Sequence, residues 1–315
     1  MLDDVLAARE RIAPHLPVTE LRSYPSLSDA LGAEVWVKHE NRLPTGAFKV
    51  RGGVNLVAQL DAAERRAGLI AASTGNHGQS VAYAARLFGV GATICVPEGA
   101  NPLKVASMQA LGADVVFHGR DYDDAREHCE RLVRERGHRY VHSGDEPHLI
   151  AGVGTATVEI LDEVPDLDVL VVPVGGGSGA AGACIAGKAL RPSLEVIGVQ
   201  SEAAPAAFRS WREGRIVEDR METFAEGLAT RVGFELPQRV LREQLDDFVL
   251  VSEEELRAAA VDAMETTRTL VEAAGAAPFA AAAKLGPRLR GHKVALVCSG
   301  GNITRAQLAE LLGAG

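Results

Sequence analysis

Short apolar runs alternate with amphipathic stretches along most of the chain, and many of the runs end in a glycine-bearing polar turn. Residues 1–24 predict a helix and a loop. AEVWVKHE, from Ala33, predicts a strand, and VRGGVNLVAQL a helix despite Gly52 and Gly53. GLIAAS (68–73) reads as a buried strand that runs through TGNHGQ into a helix, SVAYAARLFG, stopped at Gly89. GATICVPEG is the next strand. The helix NPLKVASMQALG follows, with Asn101 as its cap and Pro102 at its first position. ADVVFHG, DYDDAREHCERLVRERG and HRYVHSG repeat strand, helix, strand, and a helix is expected from about His148 to Glu163.

DVLVVPV (168–174) is strongly apolar and leads straight into GGGSG, a covering helix AAGACIAGKAL and the strand SLEVIGVQ. Residues 201–245 carry less pattern. DFVLVS, a long helix EEELRAAAVDAMETTRTLVEAAG, a helix AAPFAAAAKLG, the strand and turn HKVALVCSGGN and a short final helix complete the chain. This rhythm predicts an α/β architecture with parallel sheets. Element order predicts a small inserted lobe over 61–145, flanked by 1–60 and 146–315 of a larger lobe.

Composition agrees. The chain has 315 residues, 47% hydrophobic and only 4% aromatic, rich in Ala, Val, Leu and Gly, which suits parallel strands under Ala-rich helices. The net charge of −9, with no basic run, argues against a nucleic-acid partner. No apolar stretch reaches membrane-spanning length, and MLDDVLAARERIAPHL lacks the basic start of a signal peptide. Four widely spaced cysteines without CxxC pairs fit a reduced, cytoplasmic setting better than a disulfide framework or a zinc site.

Chemistry concentrates at three turns and one lysine. Open α/β sheets bind ligands beyond the carboxyl ends of their strands. STGNHG (73–78), GGGSG (175–179) and CSGGN (298–302) occupy such positions. GGGSG lets amides point inward ahead of a helix that starts near Ser178, an arrangement that favours phosphate. It departs from GxGxxG, because the third glycine of that pattern falls on Ala180, and no GK[ST] follows. STGNHG offers hydroxyls, an amide, an imidazole and a helix start to an oxygen anion, or else plain capping by Ser73 or Thr74. In CSGGN, Ser299 offers a neutral hydroxyl. Lys49, between Phe48 and Val50 in PTGAFKVRGG, has apolar neighbours that favour its uncharged, nucleophilic form. Taken singly, each stretch also has an ordinary structural reading. Together they match pyridoxal 5'-phosphate, with a lysine for its aldehyde and a cradle for its phosphate.

PTGAFKVRGG, STGNHGQ, VPVGGGSG, FAEGLA, VEAAGAA and CSGGN occur in the order found in the fold-type II (tryptophan synthase β-like) pyridoxal-phosphate enzymes, and the chain resembles their threonine/serine dehydratase and serine racemase group from about Leu21 to Asn302. The resemblance implies two parallel-sheet lobes with helices on both faces. It implies that Lys49 holds the cofactor covalently and that Phe48 packs on its ring. Asn76 would bond its phenolic oxygen. Ser73, Thr74 and His77 would lie in the loop that receives the substrate carboxylate. Gly175, Gly176, Gly177, Ser178 and Gly179 would form the phosphate loop, with Ser178 in place of a common glycine. Ser299 would face the ring nitrogen, and its neutrality would favour β-elimination over transamination. A homodimer is likewise implied.

The implied reaction is loss of water from a β-hydroxy amino acid, threonine or serine by default, giving a 2-oxo acid and ammonia. Bulkier or acidic substrates such as phenylserine and hydroxyaspartate are alternatives. Racemisation is disfavoured, because Thr74 stands where racemases place serine. Gln200 and Ala206 stand where metal-dependent members carry acids, so no metal requirement is expected. The chain's end at Gly315 leads to no expectation of a regulatory domain. A dinucleotide-dependent oxidoreductase and a non-catalytic anion-binding protein are the competing classes.

Overall fold

The computed structural model describes residues 1–120 and 122–313. The described chain forms ten strands: β1 (Leu21–Ser23), β2 (Glu34–His39), β3 (Leu69–Ala72), β4 (Ala92–Val96), β5 (Asp114–Phe117), β6 (Arg139–Tyr140), β7 (Val169–Pro173), β8 (Glu195–Ser201), β9 (Asp247–Val251) and β10 (Lys293–Cys298). They make two sheets. The six-stranded sheet has the order β1-β2-β10-β7-β8-β9, and the four-stranded sheet β5-β4-β3-β6. Every pairing is parallel except β1 with β2.

Strand alternation explains why both faces are covered. Val169 and Val171 join Val35, Val37, Ile197 and Val199 in one apolar layer, against the helices Glu253–Thr267 and Ala273–Leu285. Leu170 and Val172 point the other way, to a layer with Ala180, Ala183 and Leu241 from the helices Ser178–Leu190 and Glu235–Gln244. The four-stranded sheet behaves alike, with Leu69 and Ala71 on one face and Ile70 and Ala72 on the other. A run buried on both faces has no polar alternation, which is why these strands read as continuous apolar segments.

Several expectations shift in detail. The helix Asn101 caps does begin at Pro102, and the Asn101 side chain accepts from the Leu103 and Lys104 amides. The helix expected from Ser80 instead spans Asn76–Phe88, because the Ser73 hydroxyl accepts from the Gly75 and Gly78 amides and starts the turn earlier. The first 24 residues also hold the antiparallel edge strand β1, and an unanticipated helix, Pro25–Leu31, follows. Asp121, the expected start of the helix after β5, lies outside the described residues, and that helix spans Tyr122–Arg136. The long helix expected over 253–275 stops at Thr267. Arg268 takes a left-handed conformation (φ 58), and a new helix begins at Ala273. Contacts distant in sequence hold the break: Asn41 Nδ2 donates to the Leu270 carbonyl at 2.9 Å, and the Glu272 amide donates to the Gly300 carbonyl at 3.1 Å.

A buried cluster of charges fixes the helix Lys49–Ala58 in place. Arg51, 1% exposed, bonds Glu40 through Nε (2.6 Å) and Nη2 (2.8 Å), and Glu159 through Nη1 (2.6 Å) and Nη2 (2.8 Å). Lys38 Nζ pairs with Glu159 at 2.6 Å and donates to the Thr19 carbonyl at 2.8 Å. Burial alone would lower the Arg51 pKa, but the Glu40 and Glu159 carboxylates more than offset it and hold the guanidinium charged. Two cations balance two anions here, so deleting one leaves a buried charge uncompensated. Arg51→Ala is expected to cost about 3–5 kcal/mol of unfolding free energy in denaturant titrations. A loss below about 1 kcal/mol would show that the cluster is solvated.

Candidate active site

The carboxyl ends of β3, β7 and β10 converge on one cavity of about 710 Å³. Its wall includes Phe48, Lys49, Ser73, Thr74, Asn76, His77, Gly175, Gly176, Gly177, Ser178, Gly179 and Ser299, so every site residue singled out in the sequence lies on it. The three polar turns are far apart in sequence, and the two sheets bring them together.

Lys49 opens its helix directly after Phe48. Its ammonium donates to the Ser143 carbonyl at 3.0 Å and to Ser178 Oγ at 2.9 Å, both neutral acceptors. The side chain touches the open cavity but lies deep in the protein. Depth desolvates the ammonium and pushes its pKa down to about 8.

At the glycine turn, Gly177 has φ 92, a left-handed conformation that suits glycine, and the helix Ser178–Leu190 starts immediately after it. Among the described residues, the amides of Gly176, Gly177, Ser178 and Gly179 donate to no protein group. The turn is therefore an amide nest at a helix N-terminus, an arrangement that favours a small dianion. Gly179 lies against the Phe48 ring, where a Cβ would come within 3.0 Å of a ring carbon.

The 73–78 turn is more divided. Ser73 Oγ accepts from the Gly75 and Gly78 amides, which fills its acceptor positions and leaves its own hydrogen to donate. The amides of Thr74, Asn76 and His77 donate to no protein group among the described residues and form a second, smaller nest. The His77 ring turns away from an anion: its Nε2 bonds the Val141 carbonyl at 3.0 Å, and its Nδ1 is buried without a partner. Desolvation, then the nearby Lys49 charge, pushes the His77 pKa down to about 3. A neutral ring with an acceptor at Nδ1 cannot bond a carboxylate, so His77 can serve an anion only through its amide.

Asn76 Nδ2 donates to Glu272 Oε1 at 2.6 Å, and its Oδ1 accepts from Asn302 Nδ2 at 2.9 Å, which leaves one Nδ2 hydrogen for a ligand oxygen. Ser299 is buried on the cavity wall, and its hydroxyl has no partner among the described residues.

Residues that sequence reading missed complete the wall. Glu272 has its pKa raised by desolvation, with Lys104 pulling the other way. Lys104 Nζ stands 2.5 Å from Glu226 and 3.8 Å from Glu272. The one available signal was an acid inside the apolar run VEAAGAA, and its direction depended on the unforeseen break before Ala273. His142, Ser143 and Phe234 also line the cavity, with the His142 and Phe234 rings edge to face at 4.8 Å.

Pyridoxal phosphate fits this donor set. The cavity holds an amine poised to meet an aldehyde, an open amide nest for a phosphate, an aromatic face, an amide hydrogen for a phenolate oxygen and a free neutral hydroxyl for a ring nitrogen. Among the described residues, no group of three or more His, Cys, Asp or Glu side chains could hold a metal ion, and no helix is long and apolar enough to cross a membrane.

Comparison with known proteins agrees with this geometry. The chain is 39% identical over 318 residues to the L-threonine ammonia-lyase of Thermotoga maritima, covering 100% of this chain and 78% of that protein. It is 37% identical over 310 residues to the L-threo-3-hydroxyaspartate ammonia-lyase of Saccharomyces cerevisiae, covering 98% and 95%. The processed form of threonine deaminase isoform 2 from Solanum lycopersicum superposes with a TM-score of 0.93 at 31% identity, covering 99% of this chain and 91% of that one. Residues 12–300 match the family described as pyridoxal-phosphate dependent enzyme, and the chain belongs to that family.

Proposed function

We propose that the protein is a pyridoxal-phosphate-dependent ammonia-lyase that removes water from a β-hydroxy amino acid of the threonine or serine type, giving a 2-oxo acid and ammonia. The observation that carries this reading is the desolvated Lys49 amine sharing one cavity with the open amide nest at 176–179. The full-length likeness to ammonia-lyases supports the reaction class. The cofactor, when bound, supplies an electron sink that makes the C–H bond beside the substrate amine acidic.

The chain's own residues do the rest. Lys49 would hold the cofactor and, as a free amine, would take the α-proton at Nζ. Gly175, Gly176, Gly177, Ser178 and Gly179 bind the phosphate, and Phe48 closes the cavity beside them. Asn76 donates its remaining amide hydrogen to the phenolic oxygen, and Ser299 meets the ring nitrogen without charge. The substrate carboxylate sits on the amides of Thr74, Asn76 and His77 at the start of their helix. Residues 61–145 form the smaller lobe and 1–60 with 146–315 the larger one. The protein works as a cytoplasmic homodimer, a setting in which the four buried, unpaired cysteines stay reduced. The likeness to a hydroxyaspartate ammonia-lyase makes hydroxyaspartate a second substrate to try.

Ammonia and keto acid should appear from at least one of threonine, serine, phenylserine and hydroxyaspartate. Lys49→Ala should lower that rate roughly a thousandfold or more. An enzyme inert on all four, or a fully active variant, contradicts the proposal. Because only the free amine attacks an aldehyde, cofactor uptake by the cofactor-free protein should fall about tenfold per pH unit below the Lys49 pKa of about 8 and level off above it. A rate still climbing near about pH 10 would mean a solvated lysine. Light scattering should give twice the mass of one chain; a monomer at micromolar concentration would remove the dimer.

A further inference from the structure

Ser178 makes a contact that a phosphate loop alone does not require. It occupies the first position of the helix Ser178–Leu190 and is 3% exposed. Among the described residues, its hydroxyl caps no backbone amide and has one hydrogen-bond partner, Lys49 Nζ, at 2.9 Å. The other acceptor of Lys49 is the Ser143 carbonyl, at 3.0 Å, on the loop that follows β6. One acceptor therefore comes from the six-stranded-sheet side of the cavity and the other from the four-stranded-sheet side.

An uncharged amine carries two N–H donors and one lone pair in tetrahedral arrangement. When both hydrogens are engaged, the lone pair has one direction left. We propose that Ser178 is a positioning residue, whose hydroxyl acts with the Ser143 carbonyl to aim the lone pair of the displaced Lys49 amine at the substrate α-carbon. This rests on the ammonia-lyase reading above. The proton balance is simple. The α-C–H bond breaks, its electron pair stays with carbon, and the proton forms the third N–H of Lys49. That new N–H points into the cavity, because the other two are held by Ser143 and Ser178. The Ser178 hydroxyl accepts from nitrogen and keeps its own hydrogen to donate to a phosphate oxygen. A base held this way needs no search through rotamers before it reacts.

Among the described residues, no charged group bonds the amine. The titratable side chains facing it are His77, from the helix Asn76–Phe88, and His142, from the loop after β6, and desolvation keeps both neutral. Asp145, Glu226, Glu235 and Glu272 also line the cavity, but none bonds Lys49. Losing the Ser178 hydroxyl should thus remove half of the amine's anchorage without exposing it to a carboxylate.

The test compares Ser178→Ala and the isosteric Ser178→Cys, whose sulfur is a poor acceptor, with the parent holoenzyme. If one variant fails to fold, the other carries the measurement. Turnover should fall about tenfold while KM stays within about twofold. The isotope effect with α-deuterated substrate should rise, because proton removal becomes the slow step. In the cofactor-free variants, the pH midpoint for cofactor uptake should move down, since the ammonium loses an acceptor. Unchanged turnover and isotope effect would overturn the proposal. So would a defect confined to cofactor retention, which would make Ser178 a phosphate ligand only. A parent enzyme without cofactor uptake or ammonia release would instead sink the functional reading itself.

Discussion

The structure turns on a half-buried, desolvated ammonium with no carboxylate partner among the described residues. Among the described residues, the Lys49 amine bonds a carbonyl and a hydroxyl and lies 5.5 Å from the centre of the Phe48 ring. Two buried lysines, Lys38 and Lys104, lie 2.6 Å from Glu159 and 2.5 Å from Glu226. The contrast sets their chemistry. Against the pull of desolvation, the carboxylate partners of Lys104 raise its pKa and hold it charged, whereas Lys49, without such a partner, has its pKa lowered from 10.5 to about 8 and becomes a nucleophile near neutral pH. Holding it costs the folded state roughly 3 kcal/mol. That cost is fully present below the depressed pKa of about 8 and fades as pH rises toward 10.5, where the unfolded chain also loses the proton.

Such a site needs a rigid support, and Arg51 provides one. It sits two residues beyond Lys49 on the same helix, tied by its guanidinium to Glu40 just beyond β2 and to Glu159 on the helix Pro147–Glu163. Charge balance is thus placed where it fixes the backbone and withheld where the chemistry needs a free amine. On the opposite side of the cavity, Asn76, Glu272, Lys104 and Glu226 form a chain of contacts between the start of the helix Asn76–Phe88 and the large-sheet residues. These two networks brace two walls of the cavity.

Much of this was legible in the sequence because it is local. Strands buried on both faces announce themselves as apolar runs, and GGGSG and STGNHG follow two of those runs directly, as the topology of parallel sheets requires. What escaped depends on partners far along the chain. Arg51 reads as an ordinary helix arginine until Glu40 and Glu159 arrive. Glu272 reads as a mid-helix acid until Asn41 and Gly300 capture the unwound segment before it. The edge strand β1 is too short for its pattern to show, and the helix Pro25–Leu31 buries only Leu31 of its seven residues. His77 was legible as a member of the turn, but the acceptor role of its ring depends on the Val141 carbonyl.

The most direct check of the central claim is to reduce the cofactor-loaded protein with borohydride and map the modified peptide by mass spectrometry. The account predicts a single phosphopyridoxyl group, on Lys49. Modification of Lys104, Lys38 or a surface lysine, or none at all, would contradict it.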